Sequence, residues 1–167
     1  VSKHIDSAMK SVGEIMAIGK TFEEAIQKGI RMIGMGAHGF VANHDLEYQE
    51  MLTELEVPTD MRIFAIAEAF EKGMTVEEIH DLTKIDNWFL FKLEKIFKLK
   101  IEIEKHKKIG DLSLNLFSDA KKAGFSDYQL ARLLYSDKDV TPKMLEVRNY
   151  RKSIGIVPVV KQIDTLA

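Results

Sequence analysis

The chain has 167 residues, 46% of them hydrophobic and 30% charged, with 24 basic against 26 acidic side chains and a formal net charge of −2. This composition suits one globular domain, or two small subdomains sharing a core. It lacks the concentrated positive excess of a dedicated nucleic-acid or acidic-membrane binder. With no cysteine there is no disulfide framework, thiolate metal site or cysteine nucleophile. A cysteine-free chain fits a reducing compartment, so a cytoplasmic location is expected. No apolar run approaches the ~20 residues that a membrane-spanning helix needs, and no basic-then-apolar signal segment opens the sequence. Running from Val1 to Ala167, it reads as a piece of a longer polypeptide.

The first informative stretch is SVGEIMAIGKTFEE, residues 11–24. A phosphate-binding loop needs four residues between its first glycine and Gly-Lys-Ser/Thr. Here five residues, Glu14 to Ile18, separate Gly13 from Gly19-Lys20-Thr21, and most are bulky. Thr21-x-x-Glu24 is instead a capping box that starts a helix. The spacing predicts that helix from Phe22 to Ile33, with Phe22, Ile26, Ile30 and Ile33 on one face. A glycine-rich connection, GMGAHGF, follows at residues 34–40.

An amphipathic helix is expected over residues 45–55, with Leu46, Tyr48, Met51, Leu52 and Leu55 on its apolar side. Pro58-Thr59 is read as capping the next helix, which carries Ile63, Ile66, Ala67 and Phe70 and ends at Gly73. Thr75-x-x-Glu78 is a second capping box. Asp86 caps a helix with the chain's single tryptophan, and Trp88, Phe89, Phe91, Leu93 and Phe97 are expected to be buried centrally. FKLKIEIEK, residues 97–105, alternates like a strand but is read as helical, since its flanks hold no strand partner. Further helices are expected from Ser113 to Ala123, after the Ser126-x-x-Gln129 cap, and from Thr141-Pro142 to Ser153. GMTVEEIHDL (73–82) and GFSDYQLARL (124–133) repeat one pattern of glycine stop and capped short helix. The fold class is therefore all-α and multihelical: two small bundles between extended N- and C-terminal segments.

Chemistry-bearing constellations are sparse. Glu77 and His80 have the i, i+3 spacing of half a di-iron site, but a second Glu-x-x-His is missing and Glu102 and His106 are four apart. His38 and His44 flank a loop without a helix to orient them, and nothing pairs His4 or His106 with a nucleophile, so catalytic, cofactor-binding and metal residues are all expected to be absent. The rival from another class is a helix-turn-helix reader at residues 124–155, with Lys143, Arg148, Arg151 and Lys152 toward phosphates. Asp127, Asp137, Asp139 and Glu146 surround those cations, so a nucleic-acid partner is not expected.

Three blocks carry a resemblance: MKSVGEIMAIGKTFEEAIQK (9–28), RIFAIAEAF…LTKIDNWFL (62–90) and GFSDYQLA…VKQIDTLA (124–167). In this order and spacing they closely resemble the central region of the carbamoyl-phosphate synthase large chain, except around residues 34–47. VKQIDTLA looks closer to the eukaryotic multifunctional pyrimidine-pathway type than to bacterial chains. Lys20 departs from the arginine common in the family, keeping the charge but not the planar fork.

The resemblance implies a parent that makes carbamoyl phosphate from bicarbonate, glutamine-derived ammonia and two ATP, in two ATP-grasp halves with Mg or Mn. Residues 1–20 would be the tail of the first half, 21–155 the helical connection or oligomerisation domain of two different helical bundles, and 156–167 a linker to the second half. The resemblance further implies that Met9, Val12 and Glu14 face the passage that carries carbamate between the halves. It implies no cofactor and no catalysis in these residues themselves. The expected partners are the flanking domains and a homo-oligomer, without membrane or nucleic acid, and Tyr48, Met51 and Leu52 are the candidates for self-association.

Overall fold

The computed structural model describes residues 7, 9, 11, 13–43, 46–135 and 140–160. Among them the regular elements are helices: α1 (Phe22–Met32), α2 (Met51–Glu56), α3 (Arg62–Glu71), α4 (Val76–Thr83), α5 (Asn87–Glu104), α6 (Leu114–Lys122), α7 (Asp127–Leu134) and α8 (Thr141–Ser153), with a 3-10 turn at Ile109–Asp111. The all-α expectation is met.

The caps explain where most helices begin. Thr21, Thr75, Asp86, Ser113 and Ser126 each accept a backbone N–H of the following turn through the side chain, satisfying donors that a helix start leaves open. At Thr75 the box is complete, because the Glu78 carboxylate accepts the Thr75 amide at 2.7 Å. The repeated motif is a repeated geometry. Gly73 and Gly124 have φ of +84° and +88°, and Met74 N donates to Ala69 O as Phe125 N donates to Ala120 O, at 3.0 and 3.1 Å. This six-to-one bond closes a helix over a left-handed residue.

The 18-residue α5 is the spine. Leu90, Leu93, Ile96, Lys100 and Ile103 form its buried stripe; α1, α3, α4, α6 and α7 pack against it, α2 packs on α3 and α4, and α8 packs on α7. The strand-like alternation of residues 97–105 is resolved by Lys100. Its stem lies in the stripe, and its Nζ leaves the core to meet Glu71 at 2.7 Å and Glu104 at 3.4 Å.

Three expectations are corrected. Residues 46–50 are not helical, so α2 has only six residues, with Glu50 as its N-cap. Thr59 does not cap α3, which starts after Met61 without a side-chain cap; its hydroxyl accepts Met61 N at 3.1 Å and donates to Glu54. Finally, Trp88, Phe89 and Phe91 are not central: they are 52%, 44% and 50% exposed, whereas Leu93 is buried and Phe97 partly so. A helix with the apolar stripe 90/93/96/103 turns residues 88 and 91 outward by its 3.6-residue period, whereas Phe89 is in line with Leu93 but stands in the first turn, at the open end of the stripe.

Candidate functional site

The Gly19-Lys20-Thr21 segment is closed to an anion by the chain's own Glu24. Its Oε2 accepts the Lys20 amide at 2.8 Å, and its own amide donates to Thr21 Oγ1 at 3.2 Å. Glu24 Oε1 meets Lys28 Nζ at 2.7 Å, and the same Nζ donates to Ile18 O at 3.0 Å. Burial raises the Glu24 pKa, but the bonds from Lys28 and the Lys20 amide outweigh it and hold the carboxyl below its usual value. Gly19 is there for space: a Cβ would lie 2.8 Å from Ala25 N. The Lys20 amide and the Thr21 hydroxyl are thus engaged by Glu24 rather than left open to an anion.

Lys28 thus fastens the N-terminal segment to α1, and Arg151 does the same at the other end. Arg151 is 8% exposed. Its Nε meets both Asp127 carboxylate oxygens at 3.1 Å, and its guanidinium donates to Ile156 O at 2.7 Å. Each extended segment is therefore held by a cation on the adjoining helix through a backbone carbonyl.

A buried amide cluster joins α1 to α7. Gln27 of α1 and Gln129 of α7 are both fully buried. Gln27 Nε2 donates to Ala123 O at 3.0 Å, while its Oε1 accepts Phe40 N at 3.2 Å and Gln129 Nε2 at 3.0 Å. Gln129 Nε2 also reaches Val41 O at 3.0 Å. Together they seat the glycine-rich connection, whose Phe40, Val41 and Ala42 are buried. Reading the sequence missed this cluster because Gln129 sits where a capping box wants its third residue. Its backbone N–H does go to Ser126 Oγ, at 3.0 Å, but its side chain turns inward. Gly39 was the available signal, since a Cβ there would stand 2.4 Å from Gln27 Oε1.

The sequence candidates are dispersed. Met9 is 97% exposed and Glu14 is exposed; Val12, His4, His44, Asp137 and Asp139 lie outside the described residues. Met51 is 7% exposed and belongs to the chain's own core, against the expectation of a free apolar side. Tyr48 is half-buried with its hydroxyl on Glu68, and burial, then that contact, pushes its pKa well up. Leu52 is 45% exposed. His80 Nδ1 lies 2.7 Å from Ile85 O, closing the end of α4 rather than facing Glu77 toward a shared ion, and among the described residues no three potential ligands gather. In the helix-turn-helix stretch, Arg151 is committed to Asp127, and Lys143 lies 3.2 Å from Glu146 and over the Tyr135 ring. Arg148 and Lys152 are exposed.

No described helix is long and apolar enough to cross a membrane. The family described as "Carbamoyl-phosphate synthetase large chain, oligomerisation domain" matches residues 14–155. The chain is 47% identical to the multifunctional protein ura1 of Schizosaccharomyces pombe and 45% to the multifunctional protein pyr1-3 of Dictyostelium discoideum, covering all of this chain and 7% of each relative. It is 43% identical to the mitochondrial arginine-specific carbamoyl phosphate synthase large chain of S. pombe, covering 14% of it. That last name keeps the cytoplasmic expectation from being carried further. With its match over nearly all the helical body, the chain belongs to the carbamoyl-phosphate synthetase large chain oligomerisation-domain family.

Proposed function

We propose that this domain is a non-catalytic connector that holds the two ATP-grasp halves of a glutamine-dependent carbamoyl-phosphate synthase in register, serving pyrimidine biosynthesis. The observation that carries the reading is the pair of fastenings at its ends. Lys28 holds Ile18 O and Arg151 holds Ile156 O, so both segments leave the helical body from defined points. A flexible tether would need neither. ATP and Mg or Mn would then act in the flanking domains, in line with Glu24 occupying the Lys20 amide.

Residues 1–20 would be the tail of the first half, 21–155 the connector and 156–167 the lead to the second half. Met9, Val12 and Glu14 would line the carbamate passage; the exposure of Met9 and Glu14 suits residues whose facing walls come from another domain. An unstable intermediate needs such a water-restricting route. Self-association of the parent through this domain would use Leu52 and the outer side of Tyr48, with Met51 supporting them from within. A nucleic-acid role for residues 124–155 is not favoured, since Arg151 and Lys143 already have carboxylate partners.

Isothermal titration of residues 1–167 with Mg-ATP tests the non-catalytic part. No heat of binding is expected, and saturable micromolar binding would overturn it.

A further inference from the structure

The first two turns of α5 present a half-open aromatic face that the connector's own core does not use. Trp88, Phe89 and Phe91 are each about half exposed. Phe22 at the start of α1 meets Trp88 and Phe89 edge-on, with ring centroids 5.7 and 5.4 Å apart, and Trp88 and Phe89 are 5.0 Å apart at 89°. Phe91 opens onto a groove formed with Phe70, Met74, Val76 and Phe97. Beside the aromatics, Lys92 Nζ lies 5.2 Å above the Trp88 ring. Lys92 and Lys95 approach a single carboxylate, that of Glu23, at 3.9 and 3.1 Å. Two cations sharing one buried acid leave the Trp88 edge positive, while Glu77 and Glu94 line the Phe91 groove together with Lys98. Trp88 and Phe91, three residues apart, share one face of α5 with Lys92 and Lys95 at its edge, and Phe89 flanks it beside Phe22; exposed aromatics edged by cations are the composition of an interface centre rather than of an ordinary surface.

We infer that this face is the docking surface for the protein body that precedes residue 11 in the same polypeptide, a body presenting apolar side chains with carboxylates toward Lys92 and Lys95. The inference rests on the connector reading. The relatives are far longer than this chain, which spans 7% to 14% of their length. The segment leading from such a body runs along α1: Ile15 Cδ1 and Ala17 Cβ lie 3.6 Å from the position of a Cβ on Gly29. Gly29 and Phe22 are two helical turns apart on the same side of α1. The upstream body is thus tethered to the helix whose first residue completes the aromatic cluster. A tether of that length gives an effective concentration of about millimolar, which a second copy of the chain does not reach at ordinary enzyme concentrations. The apolar Ile15, Met16 and Ile18, each 46% exposed or more, extend the surface along the tether.

Hydroxyl-radical footprinting of the full-length parent tests the inference, each residue's oxidation rate being normalised to the denatured chain. Trp88 and Phe91 are expected to oxidise several-fold more slowly than half-exposure allows, including at dilutions where the parent is monomeric. Unprotected Trp88 would overturn the inference; protection lost on dilution would assign the face to a second copy and overturn it equally. In a parent carrying both Trp88→Lys and Phe91→Lys, tryptic cleavage at Lys20 should rise several-fold, whereas a Leu52→Lys control should leave it unchanged. An unaltered cleavage rate in the double variant counts against docking. The connector reading fails separately, on nucleotide binding by residues 1–167.

Discussion

Gly39 is the position where one methyl group has the least room. Its φ is +146°, and a Cβ would stand 2.4 Å from Gln27 Oε1 and 2.7 Å from Gln129 Nε2. Gly39→Ala must therefore break the amide cluster that joins α1, α7 and the buried connection. We expect a loss of more than about 2 kcal/mol, read as a lower urea midpoint; an unchanged midpoint would mean that the cluster does not hold α1 and α7 together. Burial likewise sets the order of the aromatic truncations. Phe117 is fully buried, so Phe117→Ala should cost about 3–5 kcal/mol. Trp88 is 52% exposed, so Trp88→Ala in this chain should cost only about 1–2 kcal/mol, in proportion to the smaller area removed from water. Equal costs would place Trp88 in the core after all. The sequence alone points to the wrong ranking because it shows how apolar the start of α5 is, but not which side of the helix the neighbours cover.

At the scale of the helices, the caps were the most readable feature. Thr21, Thr75, Asp86, Ser113 and Ser126 are short polar residues directly before apolar periodicity, and each is the observed N-cap. The failures came where long-range contacts override local pattern. Residues 46–50 have helical spacing, yet Tyr48 reaches Glu68 on α3 and the segment is drawn out of helix. Thr59 is spent on Glu54 and Met61 rather than on a cap. The carboxylates of the caps also set an acid limit. Glu78 is held below its ordinary pKa by the backbone and then the hydroxyl of Thr75, and Glu24 by Lys28 and the Lys20 amide against the opposing effect of burial. A depressed folded pKa stabilises the fold fully above the unfolded value of 4.5 and is lost as pH falls through the lower folded one. Urea midpoints should therefore be insensitive to these groups from neutral pH down to about 5 and decline below that. Glu24→Gln together with Glu78→Gln should flatten the decline; an undiminished acid slope would place its source elsewhere. Thr75→Ala should cost about 1 kcal/mol.

At the scale of the whole molecule, α5 gathers two unlike bundles, while Lys28 and Arg151 fix the directions in which the chain leaves them. The bundles were legible from the repeated glycine-stop motif, whose two copies share one backbone geometry. The fastenings were not, because a lysine four residues after a glutamate reads as an ordinary helix pair and Arg151 as one more cation in a last turn. The same limit applies to self-association: Leu52→Glu should shift sedimentation of the parent toward smaller species with helicity retained, whereas Met51→Glu, at a buried position, should lose helicity. A Leu52→Glu parent that stays fully associated would move the interface off α2.

The connector claim is tested most directly in the full-length parent by replacing residues 21–155 with a flexible Gly/Ser linker and measuring carbamoyl phosphate formation alongside ATP use by each half. The account predicts that both halves still consume ATP while coupled synthesis collapses. Coupled synthesis at the unmodified rate would contradict it.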